Sequence, residues 1–177
     1  MRQIIRRREL VADDVHYPGE PGEHGTRPVV AVAEFIAAVS SAAPVGNAVL
    51  IGPTDEVELL ATHLSRLDLI VIDFPKPGDG RGYSQARLLR QRLRYQGELR
   101  ARGVLKRDQL VFLARCGFDS FQLEANEDLQ AALAGFDTFS VAYQEGSDEL
   151  IHLKRRDSST PLLSRIKLAE SSDGVAS

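Results

Sequence analysis

Leu69-Ile70-Val71-Ile72-Asp73-Phe74-Pro75 decides the fold. Five of these residues are apolar with no polar alternation, as in a strand covered on both faces at the centre of a parallel sheet. Pro75 cannot extend the ladder and ends it. Upstream, Ala48-Val49-Leu50-Ile51 is a second apolar run of strand length, closed by Gly52-Pro53. Thr54 and Asp55 then supply N-cap chemistry, and Val57, Leu60, Ala61, Leu64 and Leu67 predict one apolar stripe on a helix. Val29–Ala33 reads as a short strand leading into an Ala-rich helix over 34–41.

Downstream the alternation continues. After a Gly-rich loop, Ser84 is the expected N-cap of a helix that turns Ala86, Leu89 and Leu93 inward and leaves Arg87, Arg90 and Arg94 on a wet face. Glu98–Gly103 has strand length. Lys106–Gly117 is a further amphipathic helix stopped by Gly117. Residues 119–123 form a strand, Asn126 caps a helix to Phe136, and 139–143 is expected as a closing strand. Successive β–α units need crossover connections. The class is therefore α/β: a single domain with a mostly parallel sheet of four to five strands, open or part of a barrel.

The ends differ from this body. Residues 1–28 read as a strand or hairpin around Ile4, Ile5, Leu10 and Val11, then a linker, because His16–Pro28 holds three prolines and three glycines. The α/β domain is expected over 29–153. Residues 154–177, polar and Ser-rich, are expected as a loose tail with a brief helix at 162–168.

Composition narrows the chemistry. The 177 residues include one Cys, which excludes a disulfide framework or a Cys-rich metal site. His16, His24, His63 and His152 are scattered, so no metal site is expected. No apolar run reaches the roughly 20 residues of a membrane helix, and Met1–Leu10 lacks the apolar stretch of a signal peptide; a cytoplasmic protein is expected. Net charge is −3, yet residues 81–115 carry ten Lys/Arg against two acids. A basic third on an acidic body points to an anionic ligand or an acidic partner.

Ligands of parallel α/β proteins meet the loops at the carboxyl ends of strands, here Gly52–Asp55, Pro75–Ser84, Gly103–Asp108 and Leu123–Asn126. In the richest of these, Gly78, Gly80 and Gly82 allow close backbone approach, Arg81 offers a bidentate fork, and Tyr83 or Ser84 a hydroxyl. The strand 98–103 is anomalous, since Glu98, Arg100 and Arg102 share one face of a strand expected between two layers. Three accounts fit: the face lines a polar cavity, the strand is an edge, or Glu98 pairs with an arginine. The cavity account makes Arg81, Tyr83, Ser84 and Arg100 an oxyanion cradle, with Asp79 and Glu98 the candidate acid/base residues and Arg87, Arg90 and Arg94 a docking face.

Other chemistries find less support. Gly78-x-Gly80-x-Gly82 misplaces the third glycine of a dinucleotide loop, and Tyr83 stands in its place. Gly82–Ala86 lies too far from its strand for a nucleophile elbow, despite His152 downstream. Cys116 at a helix C-terminus suits an inert packed thiol. Nucleic-acid binding lacks interleaved stacking aromatics.

Residues 73–121 carry a resemblance. Phe74-Pro75, Asp79–Ser84, Ala86-Arg87, Leu89-Arg90, Gly97–Ala101, Arg107–Leu110 and Arg115–Asp119 follow one another as in a bacterial domain-of-unknown-function family (nine-three-four). Its members are often labelled "oxidoreductase probably involved in sulfite reduction". The resemblance implies an accessory role beside assimilatory sulfate-reduction enzymes, with the sulfite reductase haemoprotein or another acidic redox protein as partner, or a small oxyanion as ligand. No motif supplies a cofactor, so electron transfer by this chain itself is not expected. The chain departs from the family pattern at Pro77, where an aromatic is usual, and at Gly103-Val104-Leu105-Lys106, which lacks the acid the family has after the glycine. Two further readings stand beside the accessory role: a small-anion-processing enzyme using Asp79 and Glu98, and a structural protein in which Glu98 and Arg100 form only a buried ion pair.

Overall fold

A computed structural model describes residues 2–141, which lie within one compact unit spanning Met1–Gly146. The tail expected over 154–177 and its brief helix lie outside the described residues. The strands are β1 (Gln3–Arg6), β2 (Glu9–Ala12), β3 (Val15–His16), β4 (Arg27–Pro28), β5 (Val30–Ala31), β6 (Ala48–Ile51), β7 (Leu69–Phe74), β8 (Glu98–Gly103) and β9 (Ser120–Gln122). The α-helices are α1 (Val32–Ser40), α2 (Arg81–Arg87), α3 (Leu110–Cys116) and α4 (Leu129–Val141).

The main sheet has seven strands in the order β2-β1-β9-β8-β7-β6-β5. From β5 to β9 the pairs are parallel, and β1 joins antiparallel to both β9 and β2. The parallel strands are neighbours in the order in which the chain makes them. Right-handed crossovers that always step the same way put their helices on one face of the sheet. That face is apolar: Val49, Ile51, Ile70, Ile72, Leu99, Ala101 and Phe121 pack with Phe35, Leu60, Ala86, Leu89, Leu110 and Leu113 in one core.

The opposite face is covered by the N-terminal segment. Val15, Tyr17 and Val29 pack on Ala48, Leu69 and Val71, and the short parallel pair β3–β4 lies in this covering segment. The hairpin expected near the N-terminus therefore completes the sheet, and Val15, Tyr17 and Val29 make the segment after it a lid, while residues 18–28 between them stay largely exposed as a surface loop. Its backbone polar groups are partly met within the chain, as where Val29 N–H bonds the His16 carbonyl at 2.9 Å.

Three expected elements differ. The stripe from Val57 to Leu67 folds as two 3₁₀ turns, Val57–Leu60 and Leu64–Arg66, instead of one helix. Val57 and Leu60 are both buried, and a three-residue turn eclipses positions three apart, so the tighter turn serves the same burial. The second helix starts at Arg81, before the expected cap Ser84, and runs on as a π turn over Leu88–Arg92. Phe139–Val141, expected in a closing strand, instead continue α4; 142–143 lie outside the described residues.

Candidate functional site

The register of β7, β8 and β9 sorts the charged side chains. Leu69 lies beside Glu98, Val71 beside Arg100 and Asp73 beside Arg102; Arg100 and Arg102 in turn lie beside Ser120 and Gln122. Glu98, Arg100 and Arg102 thus point away from the helices, toward the N-terminal lid. Arg100 is 0% exposed. Its Nη1 donates to Asp13 Oδ1 at 2.7 Å and its Nη2 to Glu98 Oε1 at 2.9 Å. Longer bonds reach Ser120 Oγ (3.3 Å), Tyr17 Oη (3.3 Å) and Asp14 Oδ1 (3.4 Å). Ser120 Oγ donates to the same Glu98 oxygen at 2.6 Å, and Arg6 Nε stands 3.2 Å from the other. Burial works against the Arg100 charge, but Tyr17, Glu98 and Asp13 outweigh it and hold the guanidinium above its ordinary value.

This overturns the oxyanion cradle. Arg100 is saturated by the chain's own carboxylates. Arg81 sits at the start of α2, on the helical side, with 57% of its side chain exposed and its Nη2 on Asp79 Oδ2 at 2.6 Å. The two guanidinia are on opposite faces of the sheet and cannot close on one ligand. Ser84 is exposed within α2, and the Tyr83 ring packs edge-on against Phe74 and beside Phe112. Gly82 serves packing rather than ligand approach, since a Cβ there would lie 2.5 Å from the Phe74 ring. Of the three accounts of the charged strand, ion pairing holds at Glu98 and Arg100, with the strand central, while Arg102 lies at the edge of a cleft.

The candidate acid/base residues also separate. Glu98 opens β8 at its amino end, whereas Asp79 lies in the loop beyond the carboxyl end of β7, so the length of the parallel strands divides them. The Arg81 guanidinium and backbone hold the Asp79 carboxyl down to about 2, which makes it a weak base near neutrality. Burial pushes the Cys116 thiol up, with Arg87 acting in the other direction.

The docking residues divide as well. Arg90 is not on a wet face: it donates to the carbonyls of Gly117 (2.9 Å), Tyr95 (2.7 Å) and Gly97 (2.9 Å) and pairs with Asp119. Arg87 and Arg94 are exposed, as are Arg92, Arg107 and Arg115. Phe112 on α3 is 48% exposed, its ring 5.1 Å from that of Tyr83 on α2. Exposed arginines thus stand on α2 (Arg87), on α3 (Arg115) and in the turns beside them (Arg92, Arg94, Arg107). Of the ten basic residues over 81–115, Arg81, Arg90, Arg100 and Arg102 are taken up by ion pairs with Asp79, Asp119, Asp13 and Glu20.

A cleft of about 770 Å³ opens at the carboxyl ends of β7, β8 and β9. Its position at strand ends is the one the fold class implies, and the loop residues Pro75, Gly103, Val104 and Leu123 line it, but its polar groups are not those the sequence singled out. Arg2 and Arg102 line it, both bonded to Glu20, at 2.6 and 3.2 Å, and both near the Tyr17 ring, at 5.4 and 4.0 Å. Gln122 is 8% exposed, and its Oε1 is buried with no hydrogen-bond partner, a deficit worth about 1–3 kcal/mol. Gly103 takes φ +116, and a Cβ would lie 2.4 Å from the Phe74 carbonyl oxygen, so only glycine fits that corner. Arg102 could have been found from the charged face of its strand. Arg2 and Gln122 carry no local signal.

Residues 48–152, more than half of the chain, match the sequence model of a family described as bacterial protein of unknown function (DUF934). The chain belongs to this family. No curated protein matches it significantly. The matched span of this DUF934 member includes β6 to β9, α2 and α3, whereas the lid partners Asp13, Tyr17 and Glu20 precede it. Among the described residues no helix is long and apolar enough to cross a membrane, and no cluster of three or more His, Cys, Asp or Glu could hold a metal ion.

Proposed function

We propose that this protein is a cytoplasmic accessory factor of assimilatory sulfite reduction that docks on an acidic redox protein, the sulfite reductase haemoprotein, through the basic surface of α2 and α3. The observation that carries this reading is the exposure of Arg87, Arg92, Arg94 and Arg107, in and beside the segments of α2 and α3, together with half-exposed Phe112 on α3. None of these four arginines forms an ion pair among the described residues. Unneutralised guanidinia and an exposed aromatic are the composition of a docking surface, with arginines steering the approach and the ring supplying buried area. The resemblance of residues 73–121 to proteins linked with sulfite reduction supplies the partner's class. Its span includes α2 and α3 as well as Glu98, Arg100 and Ser120 of the buried network.

The docking residues carried forward are Arg87 and Arg94, with Arg92 added and Arg90 withdrawn to its anchoring role. Catalysis by Asp79 and Glu98 has no support from a geometry that separates them. The test is co-purification of the tagged protein with the reductase from a native host. Retention by wild type and its loss from Arg87→Glu/Arg94→Glu, with melting temperature unchanged, is the expected result. Equal retention by the reversed variant removes the basic surface from the account. A deletion strain should grow on cysteine but poorly on sulfate; equal growth on both removes the pathway.

A further inference from the structure

The cleft at the carboxyl ends of β7–β9 is separate from the docking surface and has a chemistry of its own. Its volume, about 770 Å³, lies in the range that encloses a drug-sized organic ligand and far exceeds a single oxyanion. Its acids outnumber its cations: Arg2 and Arg102 share Glu20, Asp73 stands 4.0 Å from Arg102, and Glu124 and Glu127 lie in the lining. A free anion gains little from such a site. What remains unmet is hydrogen bonding. Gln122, more than nine-tenths buried, holds an orphaned carbonyl oxygen, and Arg102 bonds through Nη2 to Glu20 with further N–H donors on the same fork.

These two residues are register partners on adjacent parallel strands about 4.8 Å apart, so their side chains leave the same face of the sheet. An acceptor and a donor on neighbouring strands of one face complement a ring edge that carries N–H beside C=O. Val104, Leu123 and Leu129 add apolar wall for the faces of such a ring. We propose that the cleft binds a heterocycle with a lactam edge, of the flavin or purine nucleoside kind, Gln122 accepting from its ring N–H and Arg102 donating to its carbonyl. Rotation about the last torsion of Gln122, a soft one, turns the amide oxygen to the entering ring.

Riboflavin and guanosine are the probes, followed by flavin fluorescence and by melting temperature with the full chain. At least one binds, and methylation of the ring nitrogen next to its carbonyl abolishes binding. Gln122→Leu weakens binding by about tenfold or more, since a site built to pair a polar edge discriminates strongly. The same variant melts at or above the wild-type temperature, because it removes an orphaned acceptor, so lost binding is not lost folding. The proposal is overturned if neither probe binds wild type at about 1 mM. Equal binding by Gln122→Leu or by the methylated probes, or displacement of the probe by sulfite or phosphate at matched concentration, overturns it as well. Because Gln122 is remote from Arg87 and Arg94 in the sheet, reductase docking that survives Gln122→Leu keeps the two readings distinguishable.

Discussion

Arg100 and Arg81 show why residue type alone does not locate a site. Both guanidinia stand beside a carboxylate, but one is buried inside five partners and the other exposed beside its own loop. Removing Arg100 leaves buried Asp13 with only Arg2 at 3.7 Å and Glu98 with only Arg6, and breaking such a buried pair costs about 3–5 kcal/mol. Arg100→Met is expected to lose stability on that scale in urea unfolding, whereas Arg81→Ala should leave the unfolding midpoint unchanged, as exposed pairs do. A smaller loss for Arg100→Met than for Arg81→Ala would contradict the assignment. The sequence made the anomaly visible, since three charges on one face of Glu98–Gly103 demand an explanation. It did not give the answer, because Asp13 is 87 positions away and no local pattern specifies a partner at that separation.

At the scale of elements, the apolar runs over 48–51 and 69–74 were legible because burial on both faces leaves no room for polar residues. The stripe over 57–67 misled, because its apolar spacing suits a tight three-residue turn as well as an α-helix. The π turn after α2 was invisible to periodicity, yet it places Arg90 against Gly117 at the end of α3. Gly117 has φ +106, and a Cβ there would meet Arg90 Cγ at 2.5 Å. Gly117→Ala therefore combines left-handed strain with displacement of the Arg90 anchor, and a loss of about 1–3 kcal/mol is expected. Differential scanning calorimetry checks it; a neutral Gly117→Ala would mean that the Arg90 clamp contributes nothing.

Across the whole molecule, charge is divided between a lid that neutralises arginines and a helical layer that leaves them exposed. Arg2 holds the Glu20 carboxyl below its ordinary range; burial disfavours the Asp14 carboxylate, but Arg6, Arg100 and Arg27 outweigh it and lower it too. Groups depressed on folding contribute stability that is complete above their unfolded values, about 4, and lost as pH falls through the lower folded values. Asp73, raised by burial, runs the other way and is relieved by protonation. The melting temperature should therefore fall between about pH 5 and pH 3, and the fall should shrink in Glu20→Gln. That the fold class could be read from sequence while the cleft could not follows from the same division: strands are local patterns, but Arg2, Gln122 and Glu20 meet only once the N-terminal segment has crossed the sheet.

The rate of association with the sulfite reductase haemoprotein as a function of ionic strength tests the docking claim most directly. Steering by the α2–α3 arginines predicts a wild-type rate that falls steeply as salt rises, and a slow, salt-insensitive rate for Arg87→Glu/Arg94→Glu. A wild-type rate indifferent to salt, or a reversed variant with the wild-type rate and slope, would contradict it.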